Sequence, residues 1–289
     1  MIRLRCIALA LAACSPFAAE RPDGGGVTPP EPSGPGALGD GRDGPLEVGS
    51  GERTVNAYFP ARAAAAGADR VELEVAPSGL GAGDVVLVVQ PTGLASRPAS
   101  GETGELTLGP NDGAGTYALG RVRAIEGRVV VLEAPLPRRF DAPFEIVRVP
   151  QHTDVRVASG ARVVARAWDG RTGGVVALLA NGSLDVDGEI SADGRGLRGG
   201  VAVRITTPNG CAALDGALAD GYAEKGEGLA GEPKGNGPGS VATGGGGGAC
   251  HNAGGGGGGH AGKGGRGGKS WSDDGSREAP SGRGGSSVT

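Results

Sequence analysis

Glycine dominates the last third of this chain and leaves it almost without the side chains that build a hydrophobic core. Residues 199–289 contain 31 glycines, and their only aromatic side chains are Tyr222 and Trp271. Glycine loses more conformational freedom on folding than other residues and buries no side chain, so such a segment stays irregular unless it packs on something. The sequence therefore predicts a glycine-rich, largely irregular tail over residues 201–289, and we expect it to be a truncated piece of a longer product.

The N-terminus has the pattern of a secretory signal. Arg3 and Arg5 precede the apolar run "CIALALAAC". At about nine residues this run is too short to span a bilayer, which takes about 20. The run closes with "LAAC", ending at Cys14, which resembles the lipobox of bacterial lipoproteins.

The lipobox resemblance implies cleavage before Cys14 and acylation of that cysteine. Two or three acyl chains hold a protein on a membrane where one chain is marginal. Ser15, directly after the cysteine, implies the outer membrane rather than the inner one. We therefore predict a signal peptide over residues 1–13, a Pro/Gly-rich tether over residues 14–38 and a lipid-anchored protein of the outer membrane or cell surface. The alternative is an ordinary signal peptide with a chance cysteine.

Two cysteines remain after the signal peptide is removed and Cys14 is lipidated. Outside the cytoplasm, Cys211 and Cys250 are more consistent with a disulfide than with a metal site. The alternative is a zinc site on Cys250, His251 and His260, with Cys211 as a fourth ligand. These residues lack the paired spacing that marks a structural zinc site, so we favour no metal site.

Strand signals dominate the region before residue 150. "GDVVLVVQ" (83–90) is a short β-branched apolar run bounded by glycine and proline, which is typical of a buried strand. "TYALGRVRAIEGRVVVLEAPL" (116–136) predicts a hairpin that turns at Glu126-Gly127, and "FEIVRVP" (144–150) predicts a further strand. We interpret residues 39–150 as a small antiparallel β-barrel or sandwich.

Shorter strands follow over residues 151–200. "DVRVASGARVVARAWDG" and "GGVVALLANGSLDVDGEISADG" contain strands of three to six residues, each stopped by a glycine-containing pair. Strands and turns in such close succession favour the coils of a parallel β-solenoid, in which each coil buries its inner face on the next. A conventional hairpin sheet is the alternative. The fold class predicted for the chain is thus mainly β.

The segment "VPQHTDVRVASGARVVARAWDGRTGGVVALLANGSLDVDGEISADGRGLRGG" (149–200) resembles one found in secreted, glycine-rich surface proteins of myxobacteria. Some of these are named adventurous gliding motility proteins. The resemblance extends to "GDGRDG" (39–44), to "AGDVVLVVQ" (82–90) and to the polyglycine runs. It implies a cell-surface or envelope protein, and it transfers no catalytic residue to this chain.

Asp185, Asp187 and Glu189 are the candidate catalytic residues of an alternative function. Carboxylates grouped on the outer face of a β-solenoid are suited to polysaccharide lyases and hydrolases, which use paired acids or a bound Ca²⁺. Alternating acids at exposed strand positions are equally explained as a solvated face that protects a sheet edge. We favour the second interpretation and predict no catalytic residue.

Nucleotide and nucleic-acid binding find no support in the sequence. "GKS" at Gly268–Ser270 lacks the first glycine of a P-loop, and neither a strand before it nor a helix after it is predicted. The net charge is −4 and no basic block dominates, so an electrostatic surface for nucleic acid is missing. Asp40 and Asp43 in "GDGRDG" lack the further acids of a calcium loop, which leaves a turn.

The sequence as a whole predicts a non-enzymatic surface lipoprotein with a structural or adhesive role and no cofactor. Its expected partners are the membrane, through the lipid anchor, and extracellular matrix or envelope proteins. Two alternatives stay open, a carbohydrate-active β-solenoid enzyme and a metal-stabilised adhesin.

Overall fold

A computed structural model describes residues 39–102, 104–204, 213–250, 252–270 and 281–289, together with the backbone of residues 8–13. The chain forms two compact units. Unit 1 comprises residues 1–89, 117–140 and 144–196, and unit 2 comprises residues 90–116, 141–143 and 197–289. Among the described residues, no helix has the length and apolar character needed to cross a bilayer.

The fold is mainly β, as the sequence predicts. The strands are β1 (Ala8–Ala13), β2 (Leu46–Val48), β3 (Gly51–Arg53), β4 (Ala57–Ala61), β5 (Arg70–Glu72), β6 (Val85–Gln90), β7 (Thr116–Glu126), β8 (Val129–Leu132), β9 (Phe144–Val149), β10 (Gln151–His152), β11 (Val155–Val157), β12 (Ala161–Val164), β13 (Val175–Ala180), β14 (Leu184–Val186) and β15 (Glu189–Ser191). A 3₁₀ helix spans Leu218–Asp220.

Parallel pairing confirms the predicted β-solenoid and excludes the hairpin alternative for residues 151–200. β10, β11 and β12 form one coil and pair in parallel with β13, β14 and β15 of the next coil. Gln151 pairs with Leu179 and Arg162 with Glu189, so successive coils are 27 to 28 residues apart at these positions. The two coils thus stack in register on three sheets.

A further coil precedes these two and lies far away in the sequence. β2 pairs in parallel with β11, and β3 pairs in parallel with β12. The "LEV" and "GER" strands therefore belong to the solenoid, although the sequence analysis places them in the small β domain. The whole antiparallel sheet of residues 57–149 is inserted between the first and second coils.

Small and β-branched side chains fill the solenoid. Leu46, Val155 and Leu184 occupy one register position on the three coils. Leu46 and Val155 are buried, whereas Leu184 is only partly buried. In the same strand as Leu184, Val186 is 40% exposed, whereas Val48 and Val157 at the same register position are buried. Burial thus decreases toward the last coil.

The inserted sheet has six antiparallel strands in the order β4-β9-β6-β7-β8-β5. Its edge strands meet at the bridge between Ala61 and Leu73, so the sheet curls around its own core as a small half-barrel. The predicted hairpin turns at Gly127, which has a positive φ of 61°. The register between β7 and β8 shifts at a bulge between Val122 and Ala124.

Strand β13 is buried on both faces because it lies between the solenoid core and the inserted sheet. Val176 and Leu178 point into the solenoid core, while Ala177 and Leu179 belong to a second cluster with Leu87 of β6. This double burial explains the continuous apolar run "VVALLA". The backbone of β1 pairs antiparallel along the other edge of β13.

Unit 2 contains the glycine-rich part of the chain. Apart from the ends of β6 and β7, its described residues form only the 3₁₀ helix and isolated β-bridges, in agreement with the irregular secondary structure predicted for residues 201–289. Backbone hydrogen bonds nevertheless hold five extended segments of this unit side by side. These segments, which together we call the glycine bundle, are residues 222–228, 243–249, 253–259, 262–270 and 281–288.

Hydrogen bonds within the glycine bundle repeat every third residue. Gly254 N–H donates to Gly268 O (3.0 Å) and Gly257 N–H donates to Gly265 O (2.9 Å), so these two segments run antiparallel. The carbonyl oxygens of Gly254 and Gly257 in turn accept hydrogen bonds from the 281–288 segment, which runs parallel to theirs. A repeat of three residues belongs to a threefold extended helix of the polyproline II type.

Successive N–H groups of the 222–228 segment reach different neighbours, as expected for a threefold helix inside a bundle. The bonds are Ala223 to Gly248 (2.8 Å), Glu224 to Val201 (3.2 Å), Lys225 to Gly235 (3.1 Å), Gly226 to Gly245 (2.8 Å) and Glu227 to Arg198 (2.8 Å). The segment thus bonds to three other parts of unit 2 in rotation. Hydrogen bonds between backbones, rather than buried side chains, hold this part of the chain together.

Close approach, and not backbone conformation, requires glycine at the inward positions of the bundle. A Cβ atom at Gly264 would overlap the carbonyl oxygen of Gly257 and lie 2.8 Å from that of Gly258. A Cβ atom at Gly265 would have no atom within 4 Å. Neither Gly264 nor Gly265 has a φ in the left-handed region. The polyglycine sequence therefore sets the spacing between segments.

Candidate functional site

The structure places the candidate catalytic carboxylates on different parts of the last coil. Asp185 lies in β14, Glu189 lies in β15 and Asp187 lies in the turn that joins these strands. Asp187 N–H donates to the Val157 carbonyl (2.9 Å), which fixes this turn on the preceding coil. The three residues therefore do not share one sheet, although Asp185 and Glu189 are both exposed.

Glu189 is one end of a charge ladder that crosses three coils. In register, Glu52, Arg162 and Glu189 lie side by side on β3, β12 and β15. Arg162 Nη1 donates to Glu52 Oε1 (2.8 Å) and Arg162 Nε donates to Glu189 Oε2 (2.9 Å). Arg195 Nη2 donates to the second oxygen of Glu52 (2.8 Å). The hydrogen bond from Arg162 lowers the pKa of Glu189, so this group is a carboxylate and a poor proton donor.

The two aspartates of "GDGRDG" form hydrogen bonds with arginine side chains. Asp43 Oδ1 and Asp84 Oδ1 both accept hydrogen bonds from Arg148 Nη2, at 2.7 and 2.9 Å. The second oxygen of Asp43 accepts the backbone N–H of Gln151 (2.7 Å). Asp40 bonds to Arg42 of its own turn. The motif thus joins the first coil to the inserted sheet, in agreement with its interpretation as a turn.

Cys250 is disulfide-bonded. Its predicted partner, Cys211, lies outside the described residues, as do Cys14 and His251. A cysteine in a disulfide provides no thiolate for a metal, which removes one ligand of the alternative zinc site. Among the described residues, no three His, Cys, Asp or Glu side chains form a group able to hold a metal ion.

A buried acid that the sequence analysis missed lies in the inserted sheet. Glu145 in β9 is 0% exposed, and its Oε2 accepts the backbone N–H of Gly173 (2.9 Å). Its Oε1 has no hydrogen-bond partner among the described residues. Burial raises the pKa of Glu145 to about 8, so it is protonated at neutral pH. The only sequence signal is one acid inside the apolar strand "FEIVRV".

The loop between β12 and β13 covers Glu145 with further polar groups. Tyr58 Oη donates to Val175 O (2.5 Å) and accepts the backbone N–H of Arg166 (3.2 Å), whose guanidinium lies 4.7 Å from the centre of the tyrosine ring. Burial raises the pKa of Tyr58 to about 12. In the same loop, burial alone would raise the pKa of Asp169, but backbone hydrogen bonds from Thr172 and Arg171 lower it.

Glu145 and Asp169 thus have pKa values displaced in opposite directions, as the acid and base of many hydrolases do. A catalytic acid must contact its substrate, whereas Glu145 is completely enclosed in this conformation. Asp169 is used within its own turn, where its Oδ1 accepts the N–H groups of Arg171 and Thr172 (2.9 Å each). These hydrogen bonds hold the loop between β12 and β13 on the inserted sheet.

A second polar cluster, in unit 2, surrounds the buried Lys225. Its ammonium group donates to Ser100 Oγ (2.7 Å) and to Asp215, and the serine hydroxyl donates to Asp215 Oδ1 (2.8 Å). Burial alone would raise the pKa of Asp215, but its hydrogen bonds with Lys225 and Ser100 lower it. Ser100 Oγ accepts a hydrogen bond from the ammonium group and donates its own to the carboxylate, so the three side chains satisfy one another. The cluster is a structural ion pair.

A pocket with a volume of about 480 Å³ lies in unit 2. We call it the polar cup, and besides two glycines it is lined by Arg198, Val201, Glu224, Glu232, Lys234 and Asn236. Its residues come from two stretches of the glycine-rich region, 198–201 and 224–236, that hydrogen bonds join. No local motif marks the cup in the sequence.

Comparison with known proteins assigns this chain to no family. No family model matches it, and no curated protein matches its sequence. Three phage tailspike structures show a distant likeness. The tailspike protein gp49 from Pseudomonas phage LKA1 has 15% identity and a TM-score of 0.24, covering 39% of this chain and 22% of its own.

The Pseudomonas phage phi297 tailspike gp61 has 16% identity and a TM-score of 0.24, with 40% of this chain and 20% of that one covered. The gp54 tailspike of Acinetobacter baumannii bacteriophage AP22, in complex with a capsular saccharide, has 9% identity and a TM-score of 0.26, with coverages of 42% and 22%. This chain therefore spans about a fifth of the length of each tailspike.

Proposed function

We propose that this chain is a non-enzymatic, lipid-anchored protein of the outer membrane or cell surface with a structural or adhesive role. The observation that carries the proposal is how its reactive side chains are used. Glu189 is held in a charge ladder, Glu145 is enclosed, and Lys225 is neutralised by Asp215. Stacked coils and a backbone-bonded glycine bundle make up much of the chain, and both are suited to a rigid scaffold.

The disulfide at Cys250 supports a location outside the cytoplasm, where thiols become oxidised. The anchor itself depends on Cys14. It is tested by expressing the full chain in a bacterial host and measuring the mass of the membrane-bound product. We expect loss of residues 1–13 and a mass increase equal to two or three acyl chains.

Two single substitutions complete that experiment. Cys14→Ala should leave the protein unacylated and release it from the membrane fraction. Cys6→Ala is the matched control, since the same apolar run is kept and position 6 is removed with the signal. A full-length, unacylated product in the cytosol would contradict the proposed anchor.

A carbohydrate-active enzyme is the second candidate, supported by the opposite pKa displacements of Glu145 and Asp169. It predicts that the purified chain depolymerises neutral or uronic-acid polysaccharides and that Glu145→Gln abolishes this turnover. The alternative site on the last coil predicts loss on Asp187→Asn instead. Absence of turnover over the whole polysaccharide panel supports the non-enzymatic role.

A further inference from the structure

We propose that the polar cup of unit 2 binds a neutral, polyhydroxylated ligand, namely an uncharged saccharide. This inference names a ligand class for the adhesive role, but it does not depend on lipidation of Cys14. It rests on three properties of the cup, which are its charge balance, its mixture of donors and acceptors, and its size.

Both cationic groups of the cup, those of Arg198 and Lys234, are already paired with carboxylates of the protein, whereas the carboxylate of Glu232 forms no ion pair among the described residues. Arg198 Nε donates to Glu227 Oε1 (2.9 Å), and its backbone N–H donates to the other oxygen of that carboxylate (2.7 Å). Lys234 Nζ lies 3.0 Å from Glu224 Oε1. An anionic or cationic ligand would have to compete with these pairs and would meet a group of its own sign. A neutral ligand leaves both pairs intact.

The cup presents both donors and acceptors, which suits hydroxyl groups. A saccharide hydroxyl donates one hydrogen bond and accepts others, so it can bridge a carboxylate and a cation. The side chain of Arg198 is 46% exposed, and its guanidinium has further N–H groups to donate. Glu232 is exposed, and its Oε2 accepts only the backbone N–H of Lys234 (3.0 Å) among the described residues.

Asn236 adds an amide side chain to the donors and acceptors of the cup. Its backbone forms a bridge with Glu224, whereas its amide group makes no hydrogen bond to the described residues. The amide offers two donors and an acceptor. Val201, 65% exposed, supplies an apolar surface for the C–H face of a sugar ring.

The size of the cup is that of a small-molecule site. Its volume of about 480 Å³ lies within the range of about 300 to 1,000 Å³ typical of ligand pockets. Its walls are fixed by backbone bonds, among them Glu224 N–H to Val201 O (3.2 Å) and Lys225 N–H to Gly235 O (3.1 Å). A preformed site of this kind spends little binding energy on ordering its own chain.

Binding is tested on the purified full chain by saturation-transfer NMR and calorimetry. The probes are neutral mono- to trisaccharides built from glucose, galactose, mannose or N-acetylglucosamine, each at up to 20 mM. Galacturonate and glycine betaine serve as anionic and zwitterionic probes. We expect at least one neutral saccharide to bind and the charged probes to bind at least tenfold more weakly.

Two substitutions locate the site. Glu232→Gln and Asn236→Ala should each weaken binding by roughly three- to tenfold, because the first replaces a charged acceptor by a weaker neutral one and the second removes one or two hydrogen bonds to the sugar. Glu105→Gln, on an exposed carboxylate of the same unit, is the matched control and should leave the affinity unchanged. Hydrogen exchange of residues 222–249 shows whether each variant keeps the folded cup.

Three outcomes would overturn the inference: binding of no neutral saccharide by the folded chain, tighter binding of galacturonate or betaine, or saccharide binding that both cup variants retain in full. Each leaves the anchor test on Cys14 unaffected. The saccharide test and the proposed anchoring can therefore fail separately.

Discussion

Alanine at Gly264 should disrupt the glycine bundle, whereas alanine at the adjacent Gly265 should not. The two glycines are neighbours in the 262–270 segment, and both have φ values outside the left-handed region. They differ in the direction they face. A Cβ atom at Gly264 would overlap the Gly257 carbonyl, but one at Gly265 would have no atom within 4 Å.

The size of the effect follows from the hydrogen bonds that the methyl group would break. The Cβ of Gly264→Ala would lie 2.8 Å from Gly258 O, so the segments must separate by at least about 0.6 Å to reach an ordinary contact of 3.4 Å. The bonds from Gly257 to Gly265 and from Gly254 to Gly268, now 2.9 and 3.0 Å, would then exceed hydrogen-bonding distance. Losing two such bonds costs about 2–5 kcal/mol.

Gly265→Ala has no such cost. Alanine restricts the unfolded chain more than glycine does, so a substitution at a compatible position adds roughly 0.4–1 kcal/mol to stability. The two variants should therefore differ by about 2.4–6 kcal/mol. Because about 1.4 kcal/mol corresponds to a factor of ten, local opening should be at least about 50-fold more frequent in Gly264→Ala.

Hydrogen exchange measured by mass spectrometry resolves this difference, because it reports on residues 253–270 separately from unit 1. Gly267→Ala and Gly268→Ala repeat the comparison one turn further along, since a Cβ would overlap the Gly254 carbonyl at Gly267 and have no neighbour at Gly268. Equal exchange rates for inward and outward variants would refute the proposed threefold packing.

Three further results are expected. The carboxyl of Glu145 has a pKa of about 8 in the folded protein and near 4.5 in the unfolded chain, so the free energy of unfolding should fall as pH rises between these values. Glu145→Gln should remove this dependence, on the order of 5 kcal/mol, in denaturant titrations at several pH values. Arg148→Met should cost about 3 kcal/mol, because the buried Asp84 would lose its hydrogen-bonded arginine and keep only the more distant Arg42, whose Nη1 lies 3.7 Å from its Oδ1. A Tm unchanged from that of the native chain would contradict this. Cys250→Ser, or reduction, should destabilise unit 2 by about 4 kcal/mol if the partner is Cys211, and peptide mapping without reductant identifies that partner.

The periodicity of the sequence was sufficient to predict the strands but not the order in which they pair. "GDVVLVVQ" and "FEIVRVP" become β6 and β9, which are neighbours in the inserted sheet. The first coil was missed because "LEV" and "GER" are strands of three residues flanked by glycine, and the same local pattern occurs in turns. Only pairing with β11 and β12, more than 100 residues later, makes them strands.

The glycine-rich region shows where reasoning from side chains fails. A segment with only two aromatic residues has little apolar surface to bury, and this favours disorder. Backbone hydrogen bonds also stabilise the glycine bundle, and the amino-acid composition gives no indication of them. The pattern that could have revealed it is the spacing in "GKGGRGGK", where Lys263, Arg266 and Lys269 recur every third residue and leave glycines facing the bundle.

The site residues could be predicted only in part, because partners decide what a charged group does. Asp185 and Glu189 were correctly expected at exposed positions, but only the stacking of the coils brings Arg162 between Glu52 and Glu189. Glu145 is buried under a loop that comes 20 to 30 residues later in the sequence, so the residues around it do not reveal its burial. The polar cup is formed by residues 198–201 and 224–236, which are far apart in the sequence and come together only through backbone hydrogen bonds.

The solenoid and the glycine bundle hold together with few large side chains, and this has a consequence for function. The solenoid relies on ladders between short strands, and the glycine bundle relies on bonds between glycine backbones. In each case the outward side chains carry little of the stability, since exposed ion pairs are worth at most about 1 kcal/mol. Substituting an outward residue such as Lys263 therefore alters the surface and leaves the scaffold in place, whereas adding one methyl group at Gly264 changes the scaffold itself. A protein built this way can present many different surfaces on one frame, which is the property that a structural or adhesive role requires.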